Sequence, residues 1–205
     1  MKASKAEQLK NLDIAMRFVD NLGVAVDVGA NIGEWTAKMA GLLFDKIFAF
    51  EPGEDVFEEL VKLEKIYDNV WCFRKAVGNE MLDSIELVSL QKKINNSYGR
   101  YIRQSKHKSG EVFINNAPMV TIDSLNLNAL DLLKIDVEGA EVLVLQGAMN
   151  TVLKYKPVII VEDSSYGKRY GYRQDVVDNV LKKWGARQVA YAHPDKIFKF
   201  DKGEK

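Results

Sequence analysis

Cysteine appears once in the 205 residues, as Cys72, so no disulfide forms within the chain. Histidine is almost as scarce. His107 and His193 are the only two, which excludes a zinc site of the finger type. Net charge is missing as well: Lys plus Arg and Asp plus Glu each number 29, and the formal charge is zero. That balance removes the bulk electrostatic drive toward DNA or an anionic membrane, and leaves room for a local basic patch. No run of about 18 apolar residues exists, which excludes a membrane-spanning helix. Residues 1–20 are mixed and charged, without the apolar core of a secretory signal, so the expected location is cytoplasmic. The N-x-S match at Asn95 to Ser97 carries little weight without such a signal. What is present, 47% hydrophobic and 10% aromatic residues, describes a chain with a real core rather than a disordered one. The length suits one domain.

Hydrophobic periodicity lays out the elements. Leu9, Leu12, Ile14, Met16, Phe18 and Val19 give residues 5–20 the spacing of an amphipathic leading helix. Val24 to Val28 reads as a buried strand that runs into the turn Gly29-Ala30-Asn31-Ile32-Gly33. A helix over 34–44, a strand over Lys46 to Phe50, a helix over 54–66 and a strand over Val70 to Phe73 follow. The rhythm then breaks. Ser84 to Leu90 alternates as a half-buried strand does. Residues 91–110 are polar and read as a long loop, and Val112 to Ile114 and Met119 to Ile122 read as strands again. Together, residues 82–122 form a β-rich insertion. Alternation returns with a strand over Leu132 to Ile135, a helix over 139–153, a strand over Pro157 to Val161 and a helix over 173–184. Two strands, Arg187 to Tyr191 and Lys196 to Phe200, finish the chain. The order predicts an α/β fold with a mainly parallel sheet and helices on both faces. The last two strands are too closely coupled to be anything but antiparallel neighbours.

In such a sheet, ligands bind beyond the carboxyl ends of the strands. Those ends carry Asp27 and the 29–33 turn, then Glu51, then Ala76 and Val77, then Asp136 with Glu138, then Glu162 with Asp163. Packing alone does not require so many carboxylates there. Glycines at a strand-to-helix turn let backbone approach a ligand closely. Glu51, 18 residues on from Gly33, suits the two hydroxyls of a ribose. Asn31 stands where a dinucleotide fingerprint has its second glycine, which points away from NAD and toward a nucleoside without a pyrophosphate.

These residues carry a resemblance. Val26-Asp27-Val28-Gly29-Ala30-Asn31-Ile32-Gly33, Phe50-Glu51-Pro52 and Leu133-Lys134-Ile135-Asp136-Val137-Glu138-Gly139-Ala140-Glu141 resemble the FkbM family of S-adenosylmethionine-dependent methyltransferases. So do Val120 to Leu125 and Pro157 to Glu162, and the likeness covers roughly residues 22–165. It implies a class I methyltransferase fold: a Rossmann-like three-layer sandwich with a seven-stranded, mostly parallel sheet and an antiparallel last strand. Residues 1–205 would be a single methyltransferase domain, with a leading helix at 1–20 and the insertion at 82–122. By the same likeness Asp27, Gly29, Ala30, Asn31 and Gly33 would surround the methionine part of the cofactor, and Thr36 would reach its carboxylate. Glu51 would bind the ribose, Ala76 and Val77 would border the adenine, and Asp136 would sit beside the sulfonium and the acceptor.

Transfer to oxygen needs an acceptor held in line and its proton removed. Asp136, Glu138, Glu162 and Asp163 are the candidate bases. Alternatively Asp136 with Glu162 or Asp163 would hold Mg²⁺, which takes hard oxygen ligands. Glu138 and Glu141 also open a helix, where carboxylates favour the dipole whatever the chemistry. His193, with Pro194 and Asp195, reads as a surface turn. His107 lies in the basic loop from Arg100 to Lys108, which either closes over substrate, contacts phosphate or RNA, or is simply solvated. Tyr166, Tyr170 and Tyr172, with Lys168 and Arg169, form a second aromatic-basic segment near the same face. Trp35, Trp71 and Trp184 read as packing residues, and Cys72 as an inert core thiol. The leading expectation is an O-methyltransferase acting on a sugar or small metabolite. The alternatives are a ribose 2′-hydroxyl of RNA as acceptor, a non-catalytic nucleoside-binding module and, last, a nicotinamide dehydrogenase.

Overall fold

The computed structural model describes residues 5–90, 99–103, 110–162 and 165–201. The chain runs through α1 (Lys5–Met16), β1 (Val24–Val28), α2 (Glu34–Gly41), β2 (Lys46–Phe50), α3 (Glu54–Leu60) and β3 (Val70–Phe73). Four strands follow: β4 (Ala76–Val77), β5 (Leu82–Leu90), β6 (Arg100–Ile102) and β7 (Glu111–Val120). Next come β8 (Leu132–Ile135), α4 (Glu141–Gln146), α5 (Met149–Tyr155) and β9 (Val158–Glu162). The chain ends in α6 (Val176–Lys183), β10 (Ala186–Ala192) and β11 (Asp195–Phe200).

The seven-stranded sheet has the order β3-β2-β1-β8-β9-β11-β10. Its strands pair in parallel except β11, which lies antiparallel between β9 and β10. The fold is therefore the expected three-layer α/β sandwich, with the antiparallel last strand one place in from the edge. Every residue of β1 and β8 is buried, as strands covered on both faces must be. Alternation sorts their side chains. Val24, Val26 and Val28 meet Leu133, Ile135 and the helix residues Val144, Val152 and Leu181. Ala25 and Leu132 face the other way, against Leu12, Met39 and Phe44. Period-two geometry assigns Asp27 and Lys134 to that second face, and the two are direct partners in the β1–β8 register.

The insertion is a second sheet of four strands in the order β4-β7-β5-β6. Three sequence expectations need correcting here. The two strands expected at 112–114 and 119–122 are one strand, β7, and its Pro118 falls where the β5–β7 register slips, a place that tolerates a missing donor. Arg100–Ile102 is a strand rather than loop, while 91–98 and 104–109, with His107, lie outside the described residues. The helix expected over 139–153 is two helices, broken at Gly147 and Ala148. A Cβ on Gly147 would stand 2.0 Å from the carbonyl oxygen of Gly78. The break thus lets the main chain touch the insertion's first turn, a long-range contact that local periodicity does not encode. Likewise α3 gives way to a 3₁₀ turn over Val61–Lys65, and Ser165–Tyr170 forms a short 3₁₀ helix. No helix among the described residues is long and apolar enough to cross a membrane.

Gly147→Ala is expected to cost about 1–3 kcal/mol, because backbone must move to admit the methyl group. Urea denaturation measures it. A midpoint equal to that of the native chain would show that the Gly78–Gly147 approach is not a constraint.

Candidate active site

The site opens where β1, β2 and β8 end. Gly29 leaves β1 with φ +76°, and a Cβ there would sit 1.8 Å from the carbonyl oxygen of Asp136. Only glycine admits this contact between the first turn and the end of β8. Two residues on, Asn31 adopts φ 52°, so it takes the left-handed conformation that asparagine tolerates better than most residues. Its backbone N–H donates to Glu51 Oε2 at 2.9 Å, while Gly53 N–H donates to Glu51 Oε1 at 2.8 Å. Burial raises the pKa of Glu51, and those two amides, Arg100 and Lys134 work against the rise. Each Glu51 oxygen keeps a second lone pair for a ligand.

The resulting cleft encloses about 950 Å³, open mouth included. Gly29, Ala30, Asn31 and Glu51 line it from the first two strand ends, and Ala76, Val77, Asp136 and Glu138 from the others. Asp27, Gly33 and Thr36 do not reach its wall. Asp27 and Thr36 have no exposed surface and pack behind the wall. The Thr36 hydroxyl donates to Asp27 Oδ2 at 2.7 Å, and Lys134 Nζ lies 3.1 Å from Asp27 Oδ1. Gly33, at φ +89°, is held by geometry and by Leu60 and Leu63 beside it.

Lys134 lines the cleft although its residue is only 3% exposed. Its ammonium donates to the Gly29 carbonyl at 2.9 Å and stands 3.7 Å from Asp136 Oδ2. Burial works against its charge, but Asp27 and Asp136 outweigh that and lift its pKa above the ordinary lysine value. Lys134 enters the sequence reading only as a member of the 133–141 run. Asp136 stands two residues on, just past the end of β8, and that spacing is the available signal, because it gives both the same parity.

The insertion contributes to the wall through residues of the segment that the sequence reads as a basic loop able to close over substrate. Arg100 and Tyr101 of β6 line the cleft, and Arg100 reaches across to pair with Asp55 of α3 through both guanidinium nitrogens. Tyr101 donates its hydroxyl to Glu111 at 2.7 Å. The Arg169 guanidinium is sandwiched 4.2 Å from the rings of both Tyr101 and Tyr166. Trp35, expected to be a packing residue, lines the cleft as well. Glu138, at φ 55°, accepts the Gly99 N–H at 2.8 Å through Oε1 and the Arg169 guanidinium at 3.0 Å through its carbonyl. It therefore ties the insertion to the 165–170 segment.

Glu162 stands apart from the cleft, in a smaller cavity with Glu141, Arg173 and Lys196. Burial, then Asp136, Glu138, Glu141 and Asp195, push its pKa up to about 9. Asp163 lies outside the described residues. The expected Mg²⁺ site finds no support: no group of three or more potential ligands among the described residues is arranged to hold a metal ion, and Asp136 already faces the Lys134 ammonium. His193 is exposed and meets Tyr191, as a surface turn does. Burial pushes the Cys72 thiol up to about 12, which leaves it without nucleophilic character at neutral pH.

The family model described as Methyltransferase FkbM domain matches residues 27–187. Among solved structures, an FkbM methyltransferase from Methylobacillus flagellatus superposes with a TM-score of 0.59 at 17% identity. The likeness covers 87% of this chain and 43% of that one, so this chain spans less than half of that relative's length. A precorrin-8w decarboxylase from Methanobacterium thermoautotrophicum gives 0.55 at 14% identity, over 98% of this chain and 93% of the other. A precorrin-6Y C5,15-methyltransferase from Geobacter metallireducens gives 0.52 at 13%, over 98% and 94%. At these identities the structures speak for the fold alone. No curated protein matches the sequence.

The raised carboxyls yield a pH prediction. Glu162 and Glu141, pushed up to about 9 and about 7 from 4.5, bind their protons more tightly folded than unfolded. Their contribution is therefore whole below about pH 4.5 and drains away as pH rises toward 9. The urea midpoint is expected to fall across that window, and Glu162→Gln, fixed in the neutral form, to flatten the fall. An equally steep fall in the Gln variant would exonerate Glu162.

Proposed function

The chain belongs to the FkbM methyltransferase family, and from that membership we propose that it is an S-adenosylmethionine-dependent O-methyltransferase acting on a hydroxyl of a sugar or small metabolite. The cleft carries this reading. It gathers a turn bounded by glycines, the Glu51 carboxylate and the Asp136 carboxylate at the carboxyl ends of three adjacent parallel strands. Gly29, Ala30 and Asn31 bound the methionine part, Glu51 takes the ribose hydroxyls, and Ala76 and Val77 border the adenine. Asp27, Gly33 and Thr36 hold that wall from behind. S-adenosylmethionine supplies a methyl group on a cationic sulfur.

Asp136 is the residue we assign to the acceptor's proton. Its side chain is 42% exposed and its neighbour Lys134 holds it from the rear. Glu138 shapes the acceptor wall through Gly99 and Arg169 rather than moving a proton. Glu162 keeps its proton at neutral pH and serves as neutral lining of the adjoining cavity. The acceptor side is closed in by Arg100, Tyr101 and Ile102 of the insertion. A cleft walled partly by carboxylates suits a small, hydroxyl-rich acceptor better than a polyanion.

Titration calorimetry tests the first half of this reading. The native chain is expected to bind S-adenosylmethionine, and Glu51→Ala to weaken it by roughly tenfold or more, the worth of a charge-assisted hydrogen bond. A native chain that takes up no S-adenosylmethionine would falsify the proposal. Mass spectrometry of cell extract incubated with the chain and isotope-labelled cofactor identifies the acceptor.

A further inference from the structure

We propose that Lys134 is a positioning residue that tempers the charge of the cleft, so that the cationic sulfonium form of the cofactor and its neutral thioether product are held with comparable affinity and the product leaves. The inference rests on the methyltransferase reading above.

The geometry is that of a shared cation. Asp27 and Lys134 are direct cross-strand partners, and the Lys134 Nζ reaches Asp27 Oδ1 at 3.1 Å and the Gly29 carbonyl at 2.9 Å. Asp136 Oδ2 lies 3.7 Å away on the cleft side, and the Trp35 ring lies 5.8 Å away. The ammonium thus stands between a carboxylate with no solvent exposure and one that faces the ligand. A structural pair needs only Asp27. The second contact, with a carboxylate that lines the cleft, is what a purely structural lysine does not require.

Methyl transfer changes the charge of the bound cofactor. The carbon–sulfur bond breaks, its electron pair stays on sulfur, the methyl group bonds to the acceptor oxygen, and that oxygen's proton passes to a base. The sulfur begins as a cation and ends neutral. An unopposed Asp136 would favour the cationic form and discriminate strongly against the product, since opposite charges attract strongly in a half-buried site. Lys134, next to it, offsets that field. In exchange the turn gains a fixed cationic support under Gly29.

Calorimetry with S-adenosylmethionine and S-adenosylhomocysteine tests this through the ratio of their dissociation constants. Lys134→Met is expected to raise the preference for the sulfonium form about tenfold, and Asp136→Asn to lower it. Lys134→Met leaves Asp27 buried and alone, so the double variant Asp27→Asn with Lys134→Met, which removes the whole pair, is measured beside it and is expected to show the same rise. A lysine that is merely structural would weaken both ligands alike. A ratio within twofold of native in the folded lysine variants overturns the inference while leaving the functional reading intact. A native chain that binds neither ligand removes both.

Discussion

The contact between Lys134 and Asp27 governs this molecule. It lies between two central strands whose every residue is buried, where an ion pair repays its desolvation only with good geometry and further hydrogen bonds. Those bonds are present. Thr36 satisfies one Asp27 oxygen and the Gly29 carbonyl accepts from the lysine. In this way β1, the glycine turn, the start of α2 and the end of β8 are fixed to one another through a single ammonium. The close approach of Gly29 to the Asp136 carbonyl depends on the same alignment. Loss of one partner would leave a buried charge unpaired, a change that commonly costs about 3–5 kcal/mol.

Around this fixed centre the chain adds walls of a different kind. Val77 and Val120 seat the four-stranded insertion in the main core, and side-chain bridges tie it and the 165–170 segment to the cleft. Arg100 reaches Asp55, Arg169 lies between two tyrosine rings, and Tyr170 exchanges hydrogen bonds with the backbone of Ile102 at 3.1 Å. Glu138 is the meeting point of both. Its left-handed backbone is costly for a residue with a side chain, and it persists because Gly99 and Arg169 both bind it. The cofactor half of the cleft is therefore built from backbone and strand ends, and the acceptor half from polar side-chain bridges. Such a division lets one sheet serve many acceptors.

Much of this was legible in the residues. Strands β1, β2, β3 and β8 are short apolar runs between turns, and their boundaries follow from composition alone, while β9 lies one residue further on than the 157–161 run suggests. The turn, Glu51 and Asp136 are visible because glycines mark a tight strand-to-helix turn and carboxylates at strand ends are not required by the apolar core. Other features depend on distant contacts. The break at Gly147 answers to Gly78, and β6 lies in polar sequence that pairs only because β5 is beside it. Asp27 illustrates the subtler case. Its position at the glycine turn suggested contact with the ligand, yet the alternation of β1 places it with Ala25, facing the helix layer. Parity along the strand carried that information; nearness in sequence pointed the other way.

The place of β11 has a consequence for the order in which the sheet is completed during synthesis. This strand separates β9 from β10 yet is made after both. Until residues 195–200 emerge, β9 has an open edge of buried apolar residues and β10 has no partner to pair with. Asn11 of the first helix, which bonds Asp195 at 2.7 Å and the Ala192 carbonyl at 2.6 Å, waits just as long. Until then the nascent chain carries a sticky strand edge, the kind of surface that chaperones bind and that drives misassembly when it persists. The β10–β11 hairpin acts as the bolt that closes it.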